Sequence, residues 1–217
     1  FLQFPAFALL GVACAIAAIT LMRLTELVEL RTADLPMRWL HPAAAGLVVG
    51  GIALWYPEIL GVGYEATDNA LKEQYGFQML VTLAVLKILM TALCLGAGFG
   101  GGVFSPSLFI GAMVGGAFGI VATYPFPDLS SGHGAYTLIG MGAVSGAVLG
   151  APISTILIIF ELTSDYRLTI AVMIAVVIAS LITRVWHGPS FFTDQLKRRG
   201  LDLQGGHDMA ALRALRV

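Results

Sequence analysis

Hydrophobic positions in this chain run in long unbroken blocks rather than alternating with polar ones. Residues 1–22, 39–57, 88–127, 129–160 and 168–183 contain no Asp, Glu, Lys or Arg. A bilayer core of about 30 Å is crossed by about 20 apolar residues of helix, so repeated charge-free runs of that length predict an integral membrane protein. The blocks are rich in Ala, Leu, Ile, Val and Gly and lack the period-two alternation of barrel strands, which makes the spans helices. The pattern predicts a first long helix over 5–31, with Arg23 and Arg31 near its exit, and a second over 39–56. Pro57 to Gly63 breaks the chain, and 64–75 reads as a short polar helix or re-entrant element. Helices follow over 77–95 and 104–121, separated by a glycine-rich interruption at 96–102. Tyr124–Pro127 and Ser130–Gly134 read as loop. Short apolar helices over 135–148 and 152–163 precede a last long span over 166–184. Residues 1–184 thus form the transmembrane unit, and 185–217 the exit of the last helix and a cytoplasmic linker.

Several of these helices are too short to span and lie between Gly or Pro breaks. Broken helices are tolerated at membrane depth only where they are buried or line a cavity, and in transporters they point to the binding site. Composition sharpens this. Hydrophobic residues make up 58% and charged residues 12%, about half the usual charged share, and mean hydropathy is +0.87. These values exclude a water-soluble domain and a disordered chain. With Lys+Arg 12 against Asp+Glu 13, net charge gives no sign of a nucleic-acid partner. Cys14 and Cys94 both sit in apolar runs and read as buried thiols. Lys197, Arg198 and Arg199 in the tail place the C-terminus in the cytoplasm by the positive-inside bias. The chain begins at Phe1 without a basic leader, so no signal peptide is predicted, and it reads as part of something longer.

The feature that carries chemistry is Leu95-Gly-Ala-Gly-Phe-Gly-Gly-Gly-Val-Phe-Ser-Pro-Ser107. Its five glycines allow positive φ or a close approach to another group. Pro106 suits a first helical turn, so a helix starts near Val103 or Phe104. The first N–H groups of a helix lack internal carbonyl partners and sit at the positive end of its dipole, which suits an anion. No Lys or Arg lies in this segment, so an anion would be held without a full counter-charge and could leave again, as conduction requires. Gly111, Gly115 and Gly119, spaced by four, read instead as a helix-packing stripe. A phosphate-binding P-loop is excluded because no Gly-Lys-Ser/Thr follows.

Gly101-Gly-Val-Phe-Ser-Pro106 resembles the Gly-x-Phe-x-Pro element of the CLC family of chloride channels and proton-coupled chloride antiporters. The likeness extends to Ala143–Tyr166, with its Ala-Pro turn and Glu-x-Thr-x-x-Tyr ending, to Ser190–Gly200, and to Gly61-Val-Gly-Tyr64. The resemblance implies an all-α membrane fold of broken and tilted helices, of which this chain is the second of two inverted halves. It implies chloride or a similar anion as substrate, no cofactor, a lipid bilayer (the cell's inner membrane) as setting, a first-half segment as partner, and a homodimer in the full-length protein. It places backbone N–H groups of Val103 and Phe104, with Gly101 and Gly102 before them, at the central anion site. The first-half turns that complete that site, and the gating and proton glutamates, fall outside these residues. The tyrosine that offers its hydroxyl to the ion in many members falls on Phe192, with Phe191 beside it, so that position offers apolar contact or its own N–H only.

Other polar residues have structural readings. Glu161 ends an apolar run and is expected to pair with nearby N–H groups or Arg167. Lys87 interrupts 77–95 and is expected to find a structural partner, with a minor role in the field around the anion path. His41, His133, His187 and His207 lack metal-ligand spacing and read as loop or interface residues. An intramembrane enzyme would need a nucleophile with a base, or paired acids, and only Asp128 and Glu161 lie between residues 88 and 164. Besides an anion pore half, a non-conducting assembly module of the same family fits these residues.

Overall fold

The computed structural model describes residues 4–33, 40–124 and 132–198, and every regular element among them is helical. The helices are α1 (Phe4–Ala33), α2 (Leu40–Ala53), α3 (Tyr64–Leu71), α4 (Phe77–Gly96), α5 (Phe104–Thr123), α6 (His133–Leu149), α7 (Pro152–Thr163), α8 (Tyr166–Trp186) and α9 (Phe191–Arg198), with a 3-10 turn at Pro57–Ile59. α1, α4, α5 and α8 are long and apolar enough to cross a membrane, whereas α2 and α7 are apolar but short. The predicted elements are all present. α2 stops at Ala53 because Trp55 and Tyr56 both bond back to the Ile52 carbonyl, and α3 ends at Leu71, four residues short of the polar stretch's end. Residues 125–131, Arg199 and His207, with the rest of the tail, lie outside the described residues.

Local chemistry sets the boundaries. Pro152 occupies the first turn of α7, where its missing N–H costs nothing. Asp165 caps α8, its Oδ1 accepting from Arg167 N at 2.8 Å and Leu168 N at 3.4 Å. This corrects the expectation for Glu161, which is exposed and has neither a hydrogen bond nor an ion pair among the described residues. The carboxylate that meets the N–H groups is four residues later, where the chain leaves α7 and α8 begins.

α1 packs against α8 on one side and α4 on another, and α6 is packed between α5 and α8. Ile110 and Met113 of α5, Ile139 and Val144 of α6 and Val172 and Val176 of α8 are fully buried at these contacts. The α5–α6 pair approaches most closely. A Cβ on Gly115 would strike the Tyr136 carbonyl, and one on Gly119 would lie 3.1 Å from the Tyr136 Cβ, which is the packing stripe expected of these glycines. At one end of the bundle Arg23 Nη2 donates to the Trp186 carbonyl at 3.1 Å, a cation on the C-terminus of α8.

Candidate functional site

The glycine-rich turn is held at both ends by packing and left bare in the middle. α4 closes in a Schellman arrangement, with Gly98 at φ 90, Gly98 N donating to Leu95 O at 3.1 Å and Phe99 N to Cys94 O at 3.0 Å. α1 pins this end. Thr32 Oγ1 donates to the Gly96 carbonyl at 2.7 Å, and a Cβ on Gly96 would lie 2.6 Å from the Val28 Cβ. At the far end Val103 is buried and its carbonyl accepts the first helical bond, from Ser107 N at 3.0 Å. α5 therefore starts at Phe104, as Pro106 predicts.

Between these anchors Gly100, Gly101 and Gly102 are exposed, their φ values lie outside the left-handed region, and a Cβ on any of them would meet nothing within 4 Å. Of the five glycines read as a strained or close-approach set, Gly98 supplies the positive φ and Gly96 the close approach. The other three leave an open strip of main chain. Among the described residues, no backbone N–H from Gly100 to Ser105 donates to a protein acceptor. No side chain caps α5, since Ser107 Oγ turns back to the Phe104 carbonyl at 2.6 Å and the buried Ser105 hydroxyl has no partner. Such a row of free donors at the positive end of a 20-residue helix is chemically suited to a small anion.

The other predicted site residue sits on α9. Phe191 is buried, while Phe192 is 45% exposed and stacks edge-on against Phe191 with ring centroids 5.7 Å apart. α9 packs against α6, and no hydrogen bond or ring contact among the described residues joins Phe192 to Gly101, Gly102, Val103 or Phe104. These residues bring the turn together but do not by themselves bring Phe192 onto it.

The family model for voltage gated chloride channels matches residues 1–184. The chain belongs to the CLC family. Chloride channel protein CLC-e of Arabidopsis thaliana is 34% identical over 201 residues, covering 83% of this chain and 28% of that protein. The H(+)/Cl(-) exchange transporter ClcA of Vibrio cholerae is 34% identical over 157 residues, covering 70% of this chain and 34% of its own length. Among solved structures, a slow cyanobacterial Cl-/H+ antiporter superposes with a TM-score of 0.81 at 26% identity, over 91% of this chain and 47% of the antiporter. This CLC chain thus spans about a third or less of the curated relatives and under half of the solved antiporter. Its fold is the CLC fold over that length, an integral membrane arrangement of apolar helices.

Two polar partnerships of this CLC chain are set by the fold rather than by any sequence pattern. Lys87 Nζ donates to the carbonyls of Ile59 and Gly61, at 2.7 and 2.8 Å. Glu73 Oε1 accepts from Gly134 N at 3.0 Å, and its Oε2 lies 3.7 Å from His133 Nδ1, so α3's exit is tied to the start of α6. A charge inside an apolar helix signals that Lys87 needs a partner, but no residue type marks backbone carbonyls in advance. Nothing in the sequence marks Glu73.

Proposed function

We propose that this chain forms one half of the anion pathway of a CLC-type channel or H+/Cl- antiporter. Chloride or a similar anion passes the start of α5, held by the N–H groups of Val103 and Phe104. Gly101 and Gly102 keep the approaching backbone clear of side chains. Phe192 faces the same ion from α9 once a first-half segment completes the enclosure. The observation that carries the reading is the row of unpartnered N–H groups from Gly100 to Ser105 at a helix N-terminus in a membrane protein. An unpaired donor is expensive in hydrocarbon, whereas a desolvated anion satisfies several at once. The names of the relatives, channels and exchangers of chloride, favour the same substrate and transport rather than an intramembrane reaction.

The apolar outer faces of α7 and α8, with Leu157, Leu162, Ile170, Met173, Val177 and Leu181 exposed, support contact with lipid or with a second copy in a homodimer. The basic tail supports a cytoplasmic C-terminus by the positive-inside bias, and the family likeness supports an inner-membrane setting. A second reading, an assembly module of the same family that does not conduct without a first-half partner, fits the same helices.

The test is chloride titration calorimetry on full-length protein carrying Val103→Pro or Val103→Ala. Proline deletes one N–H at a φ of -88, close to its own. Alanine keeps the N–H and tests the loss of side chain alone. The more obvious control, Val103→Ile, is unsuitable because Val103 is buried and an added methylene would overpack it. Val103→Pro is expected to weaken binding by about 1–3 kcal/mol relative to Val103→Ala, the range for a hydrogen bond to a charge. Equal affinities would show that this amide is not a ligand.

A further inference from the structure

Lys87 lies mid-way along α4 and is only 3% exposed. Its ammonium group donates to the carbonyls of Ile59 and Gly61 and stands 4.7 Å from the centroid of the Phe109 ring on α5. All three neighbours present negative charge density, two carbonyl oxygens and an aromatic face. That set favours a cation over a neutral amine, whose lone pair would face acceptors. Among the described residues no carboxylate pairs with it, and Glu58, on the same turn, makes no ion pair with it. This chain alone buries Lys87, with the 57–63 turn closing over its ammonium group. That turn is itself locked on the same ring: Gly63 sits at φ 77, and a Cβ there would run into Phe109. The lysine, the ring and the turn form one packed unit carrying a buried positive charge with no carboxylate paired to it among the described residues.

We propose that Lys87 sets the anion affinity of the α5 turn through this uncompensated charge, acting at a distance rather than as a ligand. The proposal rests on the anion-site reading above. Phe109 lies five residues beyond Phe104, about 7.5 Å along the helix at 1.5 Å per residue, which puts the ammonium roughly 10–15 Å from the free N–H groups. At that range, in a setting of effective dielectric near 20, one unit charge changes the affinity for a monovalent anion by about six- to sixteenfold. The carbonyl clamp keeps the charge fixed, so it attracts the ion without following it, and burial keeps salt from screening it.

The experiment is chloride titration calorimetry on full-length protein bearing Lys87→Gln, Thr91→Glu or Lys87→Arg, with folding followed by size-exclusion chromatography. Lys87→Gln removes the charge and keeps a donor. Thr91→Glu keeps Lys87 and sets a carboxylate one helical turn along α4. Both are expected to weaken chloride binding about six- to sixteenfold, and Lys87→Arg to stay within about twofold of wild type. Wild-type protein that binds no chloride overturns the anion-site reading beneath the proposal. Wild-type binding left unchanged by both folded neutralising variants overturns the proposal alone. Failure of Lys87→Gln to fold, with a folded Thr91→Glu that binds chloride as wild type does, also overturns it, because Lys87 would then be only a strut for the 57–63 turn.

Discussion

Gly111 and Gly140 meet back to back where α5 lies against α6: a Cβ on either one would strike the carbonyl oxygen of the other. The contact on both sides is main chain, which cannot rotate aside as a side chain can. In a bilayer, where lipid tails are as apolar as the helix faces, such close approach supplies much of the attraction between helices.

Gly140→Ala is therefore expected to lower stability by about 1–3 kcal/mol, the range for overpacking a tight site. The Cβ would also come within 2.8 Å of the Gly115 Cα, so relief requires α5 and α6 to move apart along their length. Gly50→Ala is the matching control, since a Cβ there meets nothing within 4 Å in α2. It should leave stability unchanged or raise it by about 0.5–1 kcal/mol, because alanine loses less backbone entropy in a helix. The unfolding midpoints of the two variants in detergent, measured against wild type, check this. Equal shifts would mean that the α5–α6 contact is looser than these distances imply.

Asp165 and Glu161, four residues apart, are expected to respond differently to loss of the carboxylate. Asp165→Ala removes the cap of α8 and should cost about 0.5–2 kcal/mol, with Asp165→Asn retaining most of the stability. Glu161→Ala touches an exposed side chain without a partner and should stay within about 0.5 kcal/mol of wild type. Thermal unfolding of the three variants distinguishes the roles, and a larger loss for Glu161→Ala would reverse the assignment.

That pair also shows what the sequence could and could not convey. Charge-free blocks are a direct record of burial in lipid, so the long apolar helices were legible from them, and Pro106 marked the start of α5 to within one residue, whereas the charged α9 reads only as the exit of the last span. A carboxylate at the end of an apolar run drew attention to Glu161, although Ser-Asp before Tyr-Arg-Leu is the stronger helix-start signal. Three of the turn's five glycines have neither positive φ nor a close neighbour. A glycine kept for open space looks the same in sequence as one kept for a strained backbone. Lys87 was legible as a charge in need of a partner, but its partners are the Ile59 and Gly61 carbonyls, and a carbonyl belongs to every residue alike. The relation of Phe192 to the α5 turn was legible only through family likeness, and the described residues leave the two unconnected.

Phe192 supplies the last prediction. If it stands at the anion-facing position that the family resemblance implies, Phe192→Tyr in full-length protein adds one O–H donor to the site. A hydrogen bond to a charged group contributes roughly 1.5–3 kcal/mol, or about ten- to a hundredfold in chloride affinity. Displacement of an ordered water by the new hydroxyl would offset part of that gain. The side chain is 45% exposed in this chain, so the added hydroxyl has room and the fold should be unaffected. Phe191→Tyr is the control and carries the opposite signature. Phe191 is 7% exposed and packed beneath its neighbour, so a hydroxyl there needs a buried partner or lowers stability by about 1–3 kcal/mol, without improving binding. Calorimetric titration with chloride and thermal unfolding of both variants separate the outcomes. Tighter binding by Phe191→Tyr but not by Phe192→Tyr would move the anion-facing position one residue earlier on α9. Unchanged affinity in both would mean that α9 does not reach the ion, and that the central site is built from helix N-termini without a contribution from this helix.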